Sequence, residues 1–331
     1  IEVLTALGAK FQWQRFEAGM SAFKNGKDPL PQDLLDSIHE TKLALKAPLE
    51  TPIGEGFRSA NVRLREEFKL YANVRPAISF IHDRRKTDKI DLVLIRENTE
   101  GLYVGVEHFI PIDDDPKAVA EASGIITRSG CRRIARFTFD YAIKTGRKKI
   151  TIVHKANILK ALTGLFLETA MEIGKEYGNK LEIEERIVDN TAMQLVIDPA
   201  QFNIILTTNM FGDILSDCAS MLTGSLGMLP SASVGVNDLG KKNAMYEPVH
   251  GSAPDISGKS IANPLAMILS VAMMFKYSFD DSCMSDIVIK SVNKVLNNGY
   301  RTKDIFTDEC KLLSTSDMGD AVIEELKNEK L

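Results

Sequence analysis

The chain has 331 residues, 44% of them hydrophobic, and its 41 basic and 45 acidic side chains leave a net charge of −4. This length predicts two domains, and the charge balance argues against a nucleic-acid partner, so particular arginines must bind any anion. The longest apolar stretch, 261–275, is too short to span a membrane. The four cysteines show neither metal-ligand spacing nor a disulfide pattern, which predicts a reducing compartment and buried, inert thiols.

Strand-like and helix-like segments alternate along the chain. Residues 1–17 predict the end of a helix followed by a strand, and we expect further residues upstream. Strands are then predicted at 89–96, 149–154 and 202–207, and helices at 129–145, 161–177 and over most of 285–331. This alternation is typical of an α/β protein with a mainly parallel sheet. Residues 109–123 predict an exposed excursion, and no GxGxxG motif follows a strand to support a Rossmann cofactor site.

Residues 51–65 form the first segment whose residues are candidates for ligand binding. A glycine-rich loop leads to Ser59 and Asn61 at the predicted start of a helix, where free backbone N–H groups favour an anion. Arg65 lies one to two turns further along. A surface helix with Ser59 as its N-cap explains this segment, taken alone, more simply.

Two further arginines stand where predicted elements end. Arg75 precedes a proline, and Arg96 closes the apolar run DLVLIR. Ligands of α/β sheets bind beyond the carboxyl ends of strands, where a planar guanidinium suits a carboxylate. One such arginine is usually a surface ion-pair residue, but Arg65, Arg75 and Arg96 together indicate a polycarboxylate substrate.

Tyr103 and Lys155 are candidates for proton transfer. Lys155 directly follows the apolar run ITIVH, and a lysine at a partly buried strand end can have a lowered pKa. From the residues alone, a solvated lysine and a packed tyrosine remain the simpler interpretation.

The sharpest pattern is a pair of aspartates. Asp213 and Asp217 are four residues apart, which on a helix puts both carboxylates on one face. Like charges so placed repel unless a cation neutralises them, and oxygen ligands suit Mg²⁺ or Mn²⁺. Asp189 is a candidate third ligand. A solvated helix face is the alternative, which apolar neighbours such as Ile214 and Leu215 weaken.

Residues 247–264 are rich in glycine, proline and serine and predict a shaped loop whose backbone wraps a nucleotide. The candidate cofactor contacts are Glu247, His250, Gly251, Ser252, Ala253, Asp255, Ile256 and Asn263. A lone histidine is more often structural, so His250 is the weaker indication.

Asp255 indicates NAD rather than NADP. A carboxylate accepts hydrogen bonds from the ribose 2′- and 3′-hydroxyls of NAD, whereas the 2′-phosphate of NADP meets it as a like charge. The other interpretation is that Asp255 caps the turn into Ser257 and Gly258.

Seven segments, in this order, resemble the β-decarboxylating dehydrogenases, the isocitrate and 3-isopropylmalate dehydrogenase family: TPIGEGFRSANVRLR, YANVRP, RENTEGLYVGVEH, VHKANILK, VDNTAMQ, GDILSD and VHGSAPDISGKSIANP. The likeness covers essentially the whole chain. It implies the family's own α/β fold rather than a Rossmann fold, with two domains around a cleft. The large domain comprises 1–72 and 225–331, and the small domain comprises 73–224. A segment around 104–146 clasps a second subunit, and the family's opening strand is expected upstream.

The resemblance also implies roles for individual residues. Ser59 and Asn61 match the pattern that selects isocitrate, and Asp255 with Ile256 lacks the lysine and tyrosine of NADP users. The remaining matches are Arg65, Arg75 and Arg96 as substrate-carboxylate arginines, Asn157 as a nearby polar contact, Tyr103 and Lys155 as the catalytic pair, and Asp189, Asp213 and Asp217 as metal ligands. The partner subunit supplies Lys155 and Asp189, which implies a homodimer or larger homo-oligomer.

The expected reaction is the oxidative decarboxylation of isocitrate to 2-oxoglutarate and carbon dioxide, with hydride transfer to NAD and a divalent metal. The expected compartment is a bacterial cytoplasm or a mitochondrial matrix. Homoisocitrate, tartrate or isopropylmalate as substrate remain alternatives, as does a non-catalytic regulatory subunit of a hetero-oligomer. Retention of Arg75, Tyr103, Lys155 and the aspartates favours a catalytic chain.

Overall fold

The computed structural model describes residues 1–52, 56–80, 90–236 and 242–329. Its strands are β1 (Leu43–Leu45), β2 (Ala72–Ile78), β3 (Asp91–Glu97), β4 (Gly101–Ile112), β5 (Asp115–Ile125), β6 (Lys149–His154), β7 (Glu182–Ile187), β8 (Ile204–Thr207), β9 (Pro230–Val236), β10 (Lys242–Pro248), β11 (Tyr300–Arg301) and β12 (Lys311–Leu312). Its helices are α1 (Glu2–Ala6), α2 (Met20–Lys24), α3 (Gln32–Thr41), α4 (Ala60–Glu67), α5 (Arg128–Thr145), α6 (Leu162–Glu176), α7 (Val188–Ile197), α8 (Asn209–Leu222), α9 (Leu265–Ser278), α10 (Ser282–Asn297) and α11 (Thr315–Glu329).

The chain folds as two compact units. The first unit comprises Ile1–Leu70, Arg75–Ile90 and Ala219–Leu331, and the second comprises Tyr71–Val74 and Asp91–Cys218. Residues 75–80, 90 and 219–224, expected in the small domain, group with the first unit, whereas Tyr71 and Ala72, expected in the large domain, group with the second.

The second unit is built on a parallel sheet whose neighbouring strands run in the order β3, β8, β6 and β7. The predicted strands and helices of this region are all present, and their observed ends differ from the predicted ends by two residues at most. Lys89, the predicted start of β3, lies outside the described residues. The apolar side chains of β3, β6 and β8 are buried, as expected for strands covered by helices on both faces. Parallel pairing brings the carboxyl ends of these strands to one edge, where Arg96 lies near the end of β3 and Lys155 directly follows β6.

Local signals explain where α5 begins and ends. The Thr127 hydroxyl accepts a hydrogen bond from the Gly130 backbone N–H at 3.0 Å, which satisfies a donor that the first turn leaves unpaired. Gly146 ends the helix with a φ of +72°, in the left-handed region that glycine enters without a steric cost. This helix packs against α6 in the second unit.

The predicted excursion at 109–123 lies in an antiparallel ribbon of β4 and β5. Nearly all of its side chains are exposed, among them the apolar side chains of Phe109, Ile110, Ile112 and Val119. A two-stranded ribbon is marginally stable by itself, and exposed apolar side chains of this number are typical of an interaction surface.

The sheet of the first unit runs in the order β1, β10, β9 and β2, with β10 parallel to β1 and antiparallel to β9. Helix α9 is apolar on every side and buried along most of its length, where it packs on β9 and β10. The predicted helices of the C-terminal region are α10 and α11. None of the helices within the described residues is long and apolar enough to cross a membrane.

Two sequence predictions are wrong. Helix α1 is present, but residues 9–18 form no strand, because none of the described strands pairs with them to satisfy their backbone groups. The cysteines are not all buried. Cys131 is, whereas Cys218 and Cys283 are exposed on α8 and α10, since amphipathic helices turn some positions outward.

Candidate active site

Arg96 is the most deeply buried charged group of the second unit. It lies at the end of β3, with 1% of its side chain exposed. Its Nε and Nη2 donate to the side-chain oxygen of Asn209 at 2.9 and 2.7 Å, and Nη1 pairs with Asp213. These contacts hold a cation at a strand end, where a carboxylate ligand is expected to bind.

Asp213 connects Arg96 with Tyr103. The Tyr103 hydroxyl donates to Asp213 Oδ2 at 3.0 Å, and the Arg96 guanidinium carbon lies 5.4 Å from the centre of the Tyr103 ring. Asp217 follows one turn later on α8 and is exposed. These hard oxygen ligands on one helix face fit Mg²⁺ or Mn²⁺. Within the described residues no three His, Cys, Asp or Glu side chains form a metal-binding group.

Lys155 and Asp189 form a separate pair in the second unit. Lys155 Nζ lies 2.5 Å from Asp189 Oδ1, and their side chains are 27% and 69% exposed. The hydrogen bond from Lys155 lowers the pKa of Asp189 below its ordinary value. Asn157 follows in the same turn and is exposed. The pair faces solvent. Among the described residues of one chain, neither side chain contacts Arg96, Tyr103 or Asp213.

His154 holds the turn that presents Lys155. Its Nδ1 accepts a hydrogen bond from the Ala156 backbone N–H at 3.0 Å, so the ring proton is on Nε2, which contacts Glu185. The backbone N–H of Lys155 donates to the Thr163 hydroxyl at 3.2 Å. Hydrogen bonds therefore connect the backbone around Lys155 with β7 and α6.

A buried ion cluster lies in the first unit, around Glu247 at the end of β10. Its carboxylate lies 2.5 Å from Lys46 Nζ and 3.4 Å from Arg65 Nη2. Burial raises the pKa of Glu247, but the charges of Lys46, Arg65 and Arg75 outweigh it and lower the pKa to about 2. Glu247, predicted to contact the cofactor, is engaged here with a predicted substrate arginine.

Ser59 occupies the N-cap position of α4, as the surface-helix interpretation expects, but its side chain makes no capping hydrogen bond. Its hydroxyl accepts a hydrogen bond from Thr51 at 3.3 Å. The Asn61 side-chain oxygen is buried and has no hydrogen-bond partner among the described residues. A buried acceptor without a donor has an unmet hydrogen bond, which a ligand can supply. Part of the preceding loop, residues 53–55, lies outside the described residues.

The predicted nucleotide loop is open to solvent. Residues 251–255 are exposed, and Ala253 has a left-handed φ of +43°. The Asp255 carboxylate makes no hydrogen bond or ion pair with any described residue, so the turn-capping interpretation finds no support. The ring Nδ1 of His250 donates to the Gly251 carbonyl at 2.9 Å. Ser252 and Ile256 lie in the same loop, Ile256 partly buried.

Asn263 is used internally. Its side-chain oxygen accepts from the Leu265 N–H at 2.9 Å, at the start of α9, and its amide donates to Asp304 at 3.1 Å. The side chain is therefore engaged with the protein itself, and its role as a cofactor contact stays a prediction.

Sequence reasoning missed several residues that hold the candidate site. They are Lys46, His154, Glu185, Asn209 and Asp304. A signal existed for Asn209, because 209, 213 and 217 share the spacing that identified the aspartates. The others act through contacts between segments far apart in the sequence, which no local pattern reveals.

Comparison with known proteins identifies the family to which the chain is similar. The model of the isocitrate/isopropylmalate dehydrogenases matches residues 1–322. A homoisocitrate dehydrogenase of Methanocaldococcus jannaschii is 42% identical over 340 residues, covering 99% of this chain and 92% of the relative. Catalytic subunit 5 of the mitochondrial NAD isocitrate dehydrogenase of Arabidopsis thaliana is 39% identical, covering 92% of this chain and 79% of the relative.

A solved structure of isocitrate dehydrogenase from Methylococcus capsulatus superposes on this chain with a TM-score of 0.93 at 45% identity. The match covers 98% of this chain and 94% of that one. The relatives differ in substrate but share one fold, and the expected α/β fold is confirmed. The chain belongs to the isocitrate/isopropylmalate dehydrogenase family.

Proposed function

We propose that this chain oxidises and decarboxylates isocitrate to 2-oxoglutarate and carbon dioxide, with NAD as the hydride acceptor and Mg²⁺ or Mn²⁺ as the metal. The observation that carries the proposal is the contact set of Arg96, Tyr103 and Asp213, which joins a buried cation, an acid and a hard oxygen ligand. Isocitrate offers carboxylates for Arg65, Arg75 and Arg96. The relatives that act on isocitrate and homoisocitrate support this substrate class.

Ser59 and Asn61 favour isocitrate within this class. Isopropylmalate has an apolar side chain in place of the third carboxylate, and an apolar group would give the Ser59 hydroxyl and the Asn61 amide N–H no acceptor for their hydrogen bonds. The same polar residues are compatible with homoisocitrate, which is longer by one methylene group. One methylene changes binding by only about 1–3 kcal/mol, so homoisocitrate is the closest competitor.

The residues divide the chemistry among them. Lys155 accepts the proton of the substrate hydroxyl as hydride leaves the same carbon for NAD. Asp213 and Asp217 of one copy, with Asp189 of the other, would hold a divalent metal, which when bound would stabilise, as a Lewis acid, the negative charge that develops as carbon dioxide departs. Tyr103 then donates its proton to the carbon that lost the carboxylate. In the structure the Tyr103 hydroxyl carries this proton and donates it in a hydrogen bond to Asp213.

The proposal includes a site shared by two copies of the chain. Asp213 and Asp217 come from one copy, and Lys155 and Asp189 come from the other. Within one chain, Asp213 contacts Arg96 and Tyr103, whereas Lys155 contacts Asp189 in a solvent-facing pair. The exposed apolar side chains of the β4–β5 ribbon supply a surface for the contact between copies.

The NAD assignment rests on Asp255. Its carboxylate is exposed and lacks a partner among the described residues, so its oxygens are available for the ribose hydroxyls. Residues 251–255 are also exposed, which leaves their backbone N–H and C=O groups accessible to a nucleotide.

A steady-state screen of the purified chain tests the proposal. Isocitrate, homoisocitrate, 3-isopropylmalate and tartrate are each assayed with NAD and NADP in the presence of Mg²⁺. We expect the highest kcat/KM with isocitrate and NAD, loss of turnover after chelation, and recovery with Mg²⁺ or Mn²⁺. Higher kcat/KM with homoisocitrate would reassign the substrate. Full activity in excess chelator would refute the metal, and no turnover with any acid would favour a regulatory subunit.

A further inference from the structure

Asn209 is the first residue of α8 and is buried, with 2% of its surface exposed. Its side-chain oxygen accepts hydrogen bonds from both Nε and Nη2 of Arg96, at 2.9 and 2.7 Å. Its amide nitrogen donates to the Glu100 backbone oxygen at 3.1 Å. One amide therefore joins the end of β3, the loop that follows it and the start of α8.

These hydrogen bonds fix the plane of the guanidinium. Nε and Nη2 form one edge of a rigid planar group, and an acceptor shared by both allows one orientation of that plane. The aliphatic part of Arg96 packs closely on the backbone of α8 at Gly212, where an added Cβ would lie 2.6 Å from Arg96 Cγ. Both the plane and the stem of the arginine are thus held by the first turn of α8.

The contact between Arg96 and Asp213 differs from the contact with Asn209. Asp213 also accepts a hydrogen bond from Tyr103 and is 40% exposed. In the proposed function a divalent cation binds its oxygens, and oxygens that coordinate a cation are poorer acceptors for Arg96. The Asn209 amide is neutral and buried, so its hydrogen bonds persist when Asp213 is engaged with the metal.

We propose that Asn209 is a positioning residue for the substrate-binding arginine. It holds the guanidinium of Arg96 in the orientation that receives a substrate carboxylate, and it maintains that orientation while Asp213 coordinates the metal. The inference rests on the proposed function for the ligand of Arg96. The Asn209–Arg96 contact itself is measurable without any substrate.

The test compares Asn209→Ala and Asn209→Asp with the wild type. In Asn209→Ala we expect KM for isocitrate to rise on the order of 10- to 100-fold, the effect of losing hydrogen bonds to a charged group. We expect a much smaller change in kcat, since Lys155 and Tyr103 are intact. NMR of ¹⁵N-arginine-labelled protein should show slow exchange of the Arg96 Nε–H with water in the wild type and fast exchange in Asn209→Ala.

Asn209→Asp keeps an oxygen acceptor of the same size and adds a negative charge. We expect it to preserve slow exchange of the Arg96 Nε–H but still to raise KM, because the added charge opposes a substrate carboxylate. This variant makes the test independent of whether the alanine variant folds.

Asn243→Ala is the matched structural control. Asn243 is also buried, and its amide donates to the Phe68 backbone oxygen at 2.9 Å in the first unit. It should lose comparable stability without a change in KM. An unchanged KM and slow Nε–H exchange in Asn209→Ala would overturn the proposal, as would an equal rise of KM in Asn243→Ala. If the wild type does not oxidise isocitrate, the proposed function fails, and the exchange rates still decide whether Asn209 holds Arg96.

Discussion

Two lysine–carboxylate pairs have the same separation in opposite surroundings. Lys46 lies 2.5 Å from Glu247, and their side chains are 9% and 8% exposed. Lys155 also lies 2.5 Å from Asp189, but their side chains are 27% and 69% exposed. The first pair belongs to a buried cluster of the first unit, whereas the second faces solvent at the end of β6 and the start of α7.

The difference distinguishes a buried pair from one that faces solvent. Burial raises the pKa of Glu247, and three neighbouring cations are needed to lower it to about 2. Asp189 has a lowered pKa chiefly because Lys155 donates a hydrogen bond to it, with a smaller contribution from its own backbone N–H. Removing one partner of a buried pair leaves an uncompensated charge, whereas an exposed pair separates readily into water. In the proposed mechanism Lys155 exchanges this partner for the substrate, whereas Lys46 stays paired with Glu247.

The largest expected effect is on turnover. Lys155→Met should lower kcat on the order of 10²- to 10⁴-fold, because it removes the proposed base. The thermal unfolding midpoint should not change, since the pair is exposed. Lys160→Met, at an exposed lysine in the same segment, is the control and should retain wild-type kinetics. A wild-type kcat for Lys155→Met would remove the lysine from the mechanism.

The buried pair should respond in the opposite way. Lys46→Met leaves Glu247 buried without its nearest cation, which should lower the free energy of unfolding by about 3–5 kcal/mol. Urea unfolding measures this, with Lys24→Met at an exposed position as the control. An unchanged free energy of unfolding in Lys46→Met would show that the cluster is not structural.

The pH dependence of stability should report the same cluster. The pKa of Glu247 is about 2 in the folded chain against an ordinary value of 4.5, so its stabilisation is present above about pH 4.5 and is lost as the pH falls toward 2. The shift corresponds to about 3 kcal/mol. Urea unfolding between these pH values should show this loss in the wild type, and Glu247→Gln should show less of it. Identical slopes in the two proteins would contradict the lowered pKa.

The smallest expected effect concerns the cofactor. Asp255→Lys combined with Ile256→Tyr should weaken use of NAD and improve use of NADP, because the lysine pairs with the 2′-phosphate that Asp255 repels. The change in relative kcat/KM should be on the order of 10- to 100-fold. If the double variant keeps the NAD preference, or the wild type already prefers NADP, Asp255 does not read the ribose.

Sequence reasoning performed best where the information is local. The run KITIVH predicts β6 with the observed bounds, and the four-residue spacing of Asp213 and Asp217 places both on one helix. It performed less well where distant segments meet. The contact of Glu247 with the cofactor stays a prediction, but its pairs with Lys46 and Arg65 were not foreseen, because such pairing depends on how α4, β1 and β10 pack.

The predictions for the cysteines and for the first residues were wrong for a related reason. Composition predicts average burial, but exposure at Cys218 and Cys283 depends on which face of a helix points outward. A strand after α1 requires a neighbouring strand, which apolar residues alone do not provide. The roles of Ser59, Asn61 and Asp255 stay predictions, since they depend on a bound ligand.

Complementation between two inactive variants tests most directly whether the exposed pair acts in the site of a second copy. Lys155→Met and Arg96→Ala chains are prepared separately, mixed, and allowed to exchange subunits, with exchange verified by native mass spectrometry. Half of the dimers are then heterodimers with one intact site, so about a quarter of wild-type activity should return. Each variant alone should be inactive. Verified exchange without any recovery of activity would contradict the shared site.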